Sequence, residues 1–463
     1  MNSKSTVLVI DGGGRGSVLV DKYLQSPHVK KVLVIPGNDL MISQNKKKVV
    51  IFPQIKTTDV NQITSIAKRE RVDLVDVAQD DAVAVGVTDT LLKEGFQVFG
   101  PTKTAGQIEW DKAFARRFME KFDIPTPAFK ICKSESDGIK FIKNQKEGEW
   151  FVKASGLAAG KGALYAKDNH EAIERIHEMR NFGKAGQTFL IEQCLRGEEF
   201  SSFAIVDGPN FIIVGHAQDH KQVFDGNLGP NTGGMGCSSP PMVITLKIEK
   251  QIESIFKKTV EGLVKMGRPY QGILYLGGMI DTKGRTWVIE FNARWGDPEA
   301  QVIIPAVKND FIELTSYVLN NQFNKIKIRK DNLYRIVVAA TSRGYPEDYK
   351  AVIGKRIFGL DVLLHTSARH SVPFLRHSDP ELVEEEESYK VFGAGVKMTN
   401  GQYFTNGGRL FYVVGQGKDV AQARQKTYNA LSLVYVEGNN LHYRTDIGYR
   451  DLERFYIRSH LQV

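Results

Sequence analysis

Two segments far apart in the chain hold side chains that could do chemistry together. The first is Trp150-Phe151-Val152-Lys153-Ala154-Ser155-Gly156-Leu157-Ala158-Ala159-Gly160-Lys161-Gly162. It reads as a strand running into a small, basic loop. The ammonium groups of Lys153 and Lys161 suit phosphate oxygens, and Gly156, Gly160 and Gly162 leave the backbone free to approach a ligand. The second is Val288-Ile289-Glu290-Phe291-Asn292-Ala293-Arg294-Trp295-Gly296-Asp297-Pro298-Glu299. Side chains alternate along a strand, so Glu290 and Asn292 share one face. Two oxygen donors on one face suit Mg²⁺, which takes oxygen ligands and usually arrives with substrate phosphates. Together the segments describe an enzyme that spends ATP.

The first segment is not a Walker A loop, which needs four residues between its glycines and then Lys-Ser or Lys-Thr. Here three residues separate Gly156 from Gly160, and Gly162 stands where the metal-binding hydroxyl would be. Taken alone, the loop is equally a glycine-rich hairpin with a solvated lysine. The paired acceptors of the second segment favour a nucleotide site. A third glycine cluster, Asp11-Gly12-Gly13-Gly14-Arg15-Gly16-Ser17, follows a strand and precedes a helix-like stretch, where a backbone nest binds phosphate. It fails as a dinucleotide fingerprint: Ser17 replaces the third glycine, and the second strand ends in Pro36-Gly37-Asn38 instead of a ribose-binding acid. A phosphate site or a plain βα turn is preferred to NAD.

The elements that must position these residues follow from periodicity. Val7 to Ile10, Lys31 to Ile35, Val49 to Ile51 and Val72 to Val77 are strand-like, and Val60, Ile63, Ile66 and Ala67 have helical spacing. This is a parallel α/β layer. Thr104, with Gln107 three residues on, reads as a capping box for a helix running to about Phe122. Pro125 and Pro127 open a second α/β unit at roughly 126–190, with a helix starting at the Ser134-x-x-Asp137 signal. Strands then return to about Phe323 around one long amphipathic helix from about Leu246 to Met266. A polar, basic linker, Asn324 to Asn332, leads to a β-rich and then helical remainder.

Composition sets the outer bounds. The 463 residues suffice for about three domains. A hydrophobic content of 42% and a charged content of 25% are those of a soluble globular protein. The net charge of +9 is modest over this length, and a phosphate-rich substrate explains it as well as nucleic acid does. The basic runs Lys46-Lys47-Lys48 and Lys325 to Lys330, and the acidic run Glu384 to Glu387, read as solvated surface. Cys132, Cys194 and Cys237 lack metal-type spacing and give no disulfide framework, which points to a reducing cytoplasm. There is no leader-like N-terminus, and no apolar run approaches the about 18 residues of a membrane span.

The chain at this point resembles the ATP-grasp superfamily and, more closely, the glycinamide ribonucleotide synthetase (phosphoribosylamine–glycine ligase) family. The markers are Phe99-Gly100-Pro101-Thr102-Lys103, the Lys153 loop, Gln218-Asp219-His220-Lys221, Asp225 to Gly236 with its Gly-Pro-Asn-Thr-Gly-Gly-Met-Gly run, Glu290 to Glu299, Gly407-Gly408-Arg409 and Tyr443 to Arg450. The resemblance implies an N-terminal parallel α/β domain (1–103), a two-lobed ATP-grasp domain (104–328) with an inserted lid lobe at about 126–190, and a β-rich C-terminal domain (329–463). It implies joining of glycine to 5-phosphoribosylamine through a glycyl phosphate, with ATP and Mg²⁺ or Mn²⁺, in purine biosynthesis. The partners would be small molecules, with no nucleic acid or membrane, and the enzyme a monomer or else a dimer.

The same resemblance distributes roles. Lys112 and Lys153 would be the phosphate-side lysines. Gly156, Gly160, Lys161 and Gly162 would form the loop over the nucleotide. Glu192, with the backbone near Leu195, would meet adenine, and Glu199 the ribose. Glu290 and Asn292 would hold the metal, and Arg294 would stabilise the transferring phosphoryl group. Asp219, Lys221 and Asp297 would organise the acid and amine near Asn231, Thr232, Gly233 and Gly234. Gly12, Gly13 and Gly14 would take the sugar phosphate. The chain departs from the family pattern at Arg15-Gly16-Ser17, where Arg-Glu-His is usual, and at Ala78-Gln79-Asp80, where Gly-Pro-Glu is usual. Ala293 and Trp295 replace a cysteine and a phenylalanine. Two other readings compete: an ATP-grasp ligase for a different acid or amine, and a nucleotide-binding regulator without turnover. The complete Lys153, Glu290, Asn292 and Arg294 set argues against the regulator.

Overall fold

The computed structural model describes residues 4–43, 48–158, 161–369 and 389–460. Gly160, Lys46, Lys47 and the Glu384 to Glu387 run lie outside the described residues.

The N-terminal strands read as continuous apolar runs because both faces of their sheet are covered. Five parallel strands pair in the order Lys48–Ile51, Val29–Pro36, Ser5–Asp11, Leu74–Val77, Val98–Phe99. Val7 and Val9 enter one core while Leu8 and Ile10 enter another. The expected helix forms as Val60–Arg69, with Asp59 accepting from the Gln62 N–H at its start. The strand expected from Val72 begins at Leu74.

The helix expected from Thr104 to Phe122 is instead two helices, Gln107–Trp110 and Lys112–Lys121. The first has Gly106 before it, so Thr104 is not its cap. The break lies at Asp111, whose extended backbone lets its carboxylate accept from the Phe114 N–H at 3.0 Å. A short acid competes with the helix for backbone donors and starts a new one, as N-cap residues do. The consequence is positional: Lys112 becomes the first helical residue.

The 126–190 segment folds as a four-stranded antiparallel sheet, Phe129–Cys132, Phe189–Gln193, Trp150–Ala154, Ala163–Ala166. Helices Glu135–Lys143 and Asn169–Glu178 cover one face, where Trp150, Val152 and Ala154 meet Ile142, Ile176 and Ile191. The alternation leaves Phe151, Lys153 and Glu192 on the opposite face.

The largest element is a nine-stranded antiparallel sheet. Its path runs Thr286–Asn292, Gln271–Asp281, Gly197–Asp207, Asn210–Asp219, Gly236–Ser239, Tyr334–Ser342, Arg409–Gly417, Tyr389–Gly393, with Leu441–His442 also on Tyr334–Ser342. Helix Leu246–Lys265 packs Ile252, Phe256 and Val260 against Phe118 of the Lys112 helix. The fold is therefore mixed: a parallel α/β layer, antiparallel sheets in the middle of the chain and a sheet-rich C-terminal region. No helix among the described residues is long and apolar enough to cross a membrane.

Candidate active site

A cleft of about 750 Å³ opens between the bare face of the four-stranded sheet and the Glu290 end of the nine-stranded one. Lys153 reaches it from Trp150–Ala154, and Lys112 from the start of its helix. That helix start is fixed to the glycine-rich loop: the Ser155 carbonyl accepts the Lys112 N–H at 2.9 Å, and the Ser155 hydroxyl donates to Asp111 at 2.9 Å. Burial lowers the Lys112 ammonium pKa, against the pull of Glu290.

Glu192 lines the cleft, but its carboxylate is fully engaged. Arg116 donates from Nε to Oε1 at 2.6 Å and from Nη2 to Oε2 at 2.9 Å, while Lys153 Nζ lies 2.7 Å from Oε2. Burial alone would push this carboxyl up; the two cations outweigh it and hold it at about 2. Glu192 thus orients Lys153. Sequence reasoning missed Arg116, although it stands one helical turn after Lys112 and so shares its face. Leu195 and Glu199 also line the cleft.

On the opposite wall, Glu290 and Asn292 share a face of their strand, with Asn292 Nδ2 3.5 Å from Glu290 Oε1. Lys221 sits between carboxylates, 3.5 Å from Glu199 and 4.0 Å from Glu290. Burial opposes ionisation of Glu290, but Lys221, Lys112 and Lys153 outweigh it and lower its pKa. Glu199 first, and Glu290, raise that of Lys221. Among the described residues no three acidic, histidine or cysteine side chains converge on a cation. One ionised carboxylate beside an amide fits a divalent cation that keeps several waters and draws other ligands from phosphates. Arg294 is buried against Glu109 at 2.9 Å, and Glu109 also accepts the Ala293 N–H at 2.6 Å. Sequence reasoning missed Glu109 too; its partner lies far along the chain.

The third wall carries Asp219, Asp297 and the Asn231 to Gly233 backbone. Burial, with the charge of Glu299 nearby, pushes Asp219 up to about 8. Asp297 stays below the usual carboxylate range because Arg409 and Arg15 outweigh its burial. Gly234, with φ +109°, packs between Pro298 and the Asp219 carboxylate; an added Cβ would meet Pro298 at 2.4 Å.

Of the other expected residues, Gly12, Gly13 and Gly162 line the cleft and the rest of those described sit apart from it. Gly156 is packed on Ala185, with its N–H donating to the Ala185 carbonyl at 3.2 Å. Lys161 donates to the Pro346 carbonyl at 3.3 Å. Gly12 and Gly13 line the cleft, but Gly14 is packed against Tyr412 and Gln301. The glycine nest is already occupied by Asp11, whose Oδ1 accepts the Gly13 N–H at 2.6 Å and the Gly16 N–H at 3.2 Å. Arg15 is held by Asp11, the Trp295 carbonyl and Gln79. Of the altered positions, Gln79 accepts from Arg15 and Ser17 donates to the Gly393 carbonyl at 2.6 Å, whereas Asp80 lines the cleft.

The chain matches three family models in order: the phosphoribosylglycinamide synthetase N domain over residues 5–109, its ATP-grasp (A) domain over 110–300 and its C domain over 335–450. It is 35% identical to the phosphoribosylamine–glycine ligase of Vibrio vulnificus over 452 residues, 97% of this chain and 99% of that one. The ligase of the same name from Streptococcus pneumoniae is 35% identical over 447 residues, 96% of this chain and 98% of that one. Among solved structures, the phosphoribosylamine–glycine ligase of Thermotoga maritima superposes with a TM-score of 0.76 at 28% identity, covering 96% of this chain and all of that one. A biotin carboxylase from Campylobacter jejuni shares the fold alone, with a TM-score of 0.67 at 15% identity, covering 96% of this chain and 98% of that one. An ATP-grasp cleft with lysines on one wall and a Glu-x-Asn strand on the other, together with full-length matches, places the chain in the phosphoribosylglycinamide synthetase family of ATP-dependent ligases.

Proposed function

We propose that the chain joins glycine to 5-phosphoribosylamine, consuming ATP and releasing glycinamide ribonucleotide, ADP and phosphate. The observation that carries this reading is the facing of Lys112 and Lys153 across one cleft from Glu290, Asn292 and Arg294. A carboxylate is a poor electrophile, and its phosphorylation gives an acyl phosphate that an amine can attack. Phosphoryl transfer asks the protein mainly for positioning and charge neutralisation.

In this reading Lys112 and Lys153 bind nucleotide phosphates, with Glu192 and Arg116 holding Lys153 in place. Adenine lies near Leu195 and meets backbone groups, since the Glu192 carboxylate is engaged, and the ribose lies near Glu199. Glu290 and Asn292 would hold Mg²⁺ or Mn²⁺, which supplies neutralisation of phosphate charge. Asn292 then turns its amide oxygen inward, a flip that leaves its shape unchanged. Arg294, fixed by Glu109, faces the transferring group. Lys221, Asp219 and Asp297 orient the acid and the amine, and the cleft edge at Gly12 and Gly13 receives the phosphorylated sugar. The roles fall on an N-terminal domain of 1–103, an ATP-grasp domain of 104–328 with a lid at 126–190, and a C-terminal domain of 329–463. The substrates are those of a cytoplasmic pathway.

Glycine-dependent ADP release with Mg-ATP, measured with and without freshly generated phosphoribosylamine, tests the proposal. Glycinamide ribonucleotide should appear by mass spectrometry. Its absence, with ADP release supported by another amine, would assign a different acceptor.

A further inference from the structure

The backbone at Gly233 is held from both sides by residues of the C-terminal region. Its N–H donates to the Tyr345 hydroxyl at 3.2 Å, and its carbonyl accepts from Arg409 Nη1 at 2.7 Å. The same Nη1 donates to the Asp297 carbonyl at 2.8 Å, and Nη2 lies 3.5 Å from the Asp297 carboxylate. One guanidinium therefore joins two parts of the acceptor wall. Arg409 uses these donors along that wall, on loop residues outside its own strand.

The fit is close. A Cβ on Gly233 would stand 3.1 Å from the Arg409 guanidinium carbon, and one on Gly408 would stand 2.3 Å from the Tyr345 ring. Gly408 leaves room for the Tyr345 ring against the residue next to Arg409, which gives the Gly407-Gly408-Arg409 marker a physical reason. Without these two side chains the Asn231 to Gly234 loop keeps its local hydrogen bonds and the packing of Gly234 on Pro298. The Thr232 N–H and hydroxyl donate to the Lys221 carbonyl, and the Gly234 N–H donates to the Thr232 hydroxyl. Two adjacent glycines in a loop so tied have wide conformational freedom.

We propose that Tyr345 and Arg409 are positioning residues for the carboxylic acid substrate. They fix the Gly233-Gly234 backbone over Asp219 and Lys221 and leave the nucleotide end untouched. The proposal rests on the ligase reading of the cleft.

The experiment compares wild type with Tyr345→Phe, which removes only the acceptor, and Arg409→Lys, which keeps the charge beside Asp297. Hydrogen exchange of the peptide spanning residues 231–236 is read in the nucleotide-free protein. The KM for glycine and the Kd for ATP are measured separately, and circular dichroism confirms folding. Loss of one such hydrogen bond should raise the glycine KM by about fivefold and speed exchange at Gly233. The ATP Kd should stay as in wild type. Wild-type exchange and wild-type glycine KM in both variants would overturn the proposal, as would an ATP Kd that rises in step with the glycine KM. If wild type shows no glycine-dependent ADP release, the ligase reading fails. The exchange data then still decide whether Tyr345 and Arg409 hold the loop, and unchanged exchange overturns that as well.

Discussion

Glu192 is shared by two cations, and removing one is not equivalent to removing the other. Lys153→Ala leaves the two-pronged Arg116 contact in place, so the fold should survive while nucleotide phosphates lose an ammonium. Affinity for ATP should fall at least about tenfold by calorimetry. Unchanged affinity would remove Lys153 from the site. Arg116→Ala instead strands most of a buried carboxylate, at a cost on the order of 3–5 kcal/mol, and should show first as a lowered Tm. Asp219 gives a pH-dependent test. An unfolded Asp titrates near about 3.9, whereas burial and Glu299 push Asp219 up to about 8 in the folded chain. The unfolded state then sheds this proton first as pH rises, and the native state loses stability steadily between those values. Asp219→Asn removes that loss and can still accept the His220 N–H. The variant should match wild type near pH 4 and exceed it by a growing margin to pH 8, with no further gain above. A constant difference across thermal melts in that range would refute the shifted titration.

At the scale of elements, the glycine-rich loop is tied at its base, and its described residues Leu157 and Ala158 are less covered. The Ala154 N–H donates to the Gly162 carbonyl at 2.8 Å, and Gly156 is held by Ala185. Leu157 and Ala158 are only half-buried. Segments with few apolar contacts open most readily, and closure over a reactive acyl phosphate keeps water out. Amides of Leu157, Ala158 and Lys161 should become protected from hydrogen exchange when an ATP analogue binds. Equal protection in both states would count against a lid. The same elements show what can be read from sequence. The strand before the loop, the Glu290-x-Asn292 face, the Val60 to Ala67 helical spacing and the Ser134 cap are short-range patterns, and the fold follows them. Glu109 and Tyr345 act on partners far along the chain, so no local spacing reveals them, whereas Arg116 stands one helical turn after Lys112 and Arg409 ends the Gly407-Gly408-Arg409 marker. Thr104 misled because a capping-box pattern was present, while Asp111 made the stronger side-chain contact to the backbone. The N-terminal glycines look like an open phosphate nest until Asp11 is seen filling it.

In the molecule as a whole, the family's ATP-grasp and C-terminal segments are not separate bodies. Strand Gly236–Ser239 pairs with Asn210–Asp219 on one side and Tyr334–Ser342 on the other, so a single sheet crosses between them. Val337, Ala339, Phe392, Tyr412 and Val414 share a core with Val18 and Leu19 of the first helix. The four-stranded sheet pairs with none of these strands and meets the frame through the Arg116 contact to Glu192 and the Ser155 contacts to Asp111 and Lys112. A chain cut after Asn332 would expose the unpaired edge of Gly236–Ser239 and an open core, a template for aggregation. Residues 1–332 produced alone should elute as large aggregates on size exclusion. A well-behaved monomer that binds nucleotide would show the sheet to be divisible.

The packing of Gly14 against Tyr412 has a consequence in time. An added Cβ at Gly14 would lie 2.2 Å from the Tyr412 ring, so the beginning of the chain is completed by a residue near its end. At ribosomal speeds of about 5–20 residues per second, roughly 20–80 s separate their synthesis. Late in that interval the nascent protein holds Lys112, Lys153, Glu290 and Arg294, yet Arg409 and Tyr412 have not been made. Translation thus adds last the two side chains that close over Gly233 and Gly14.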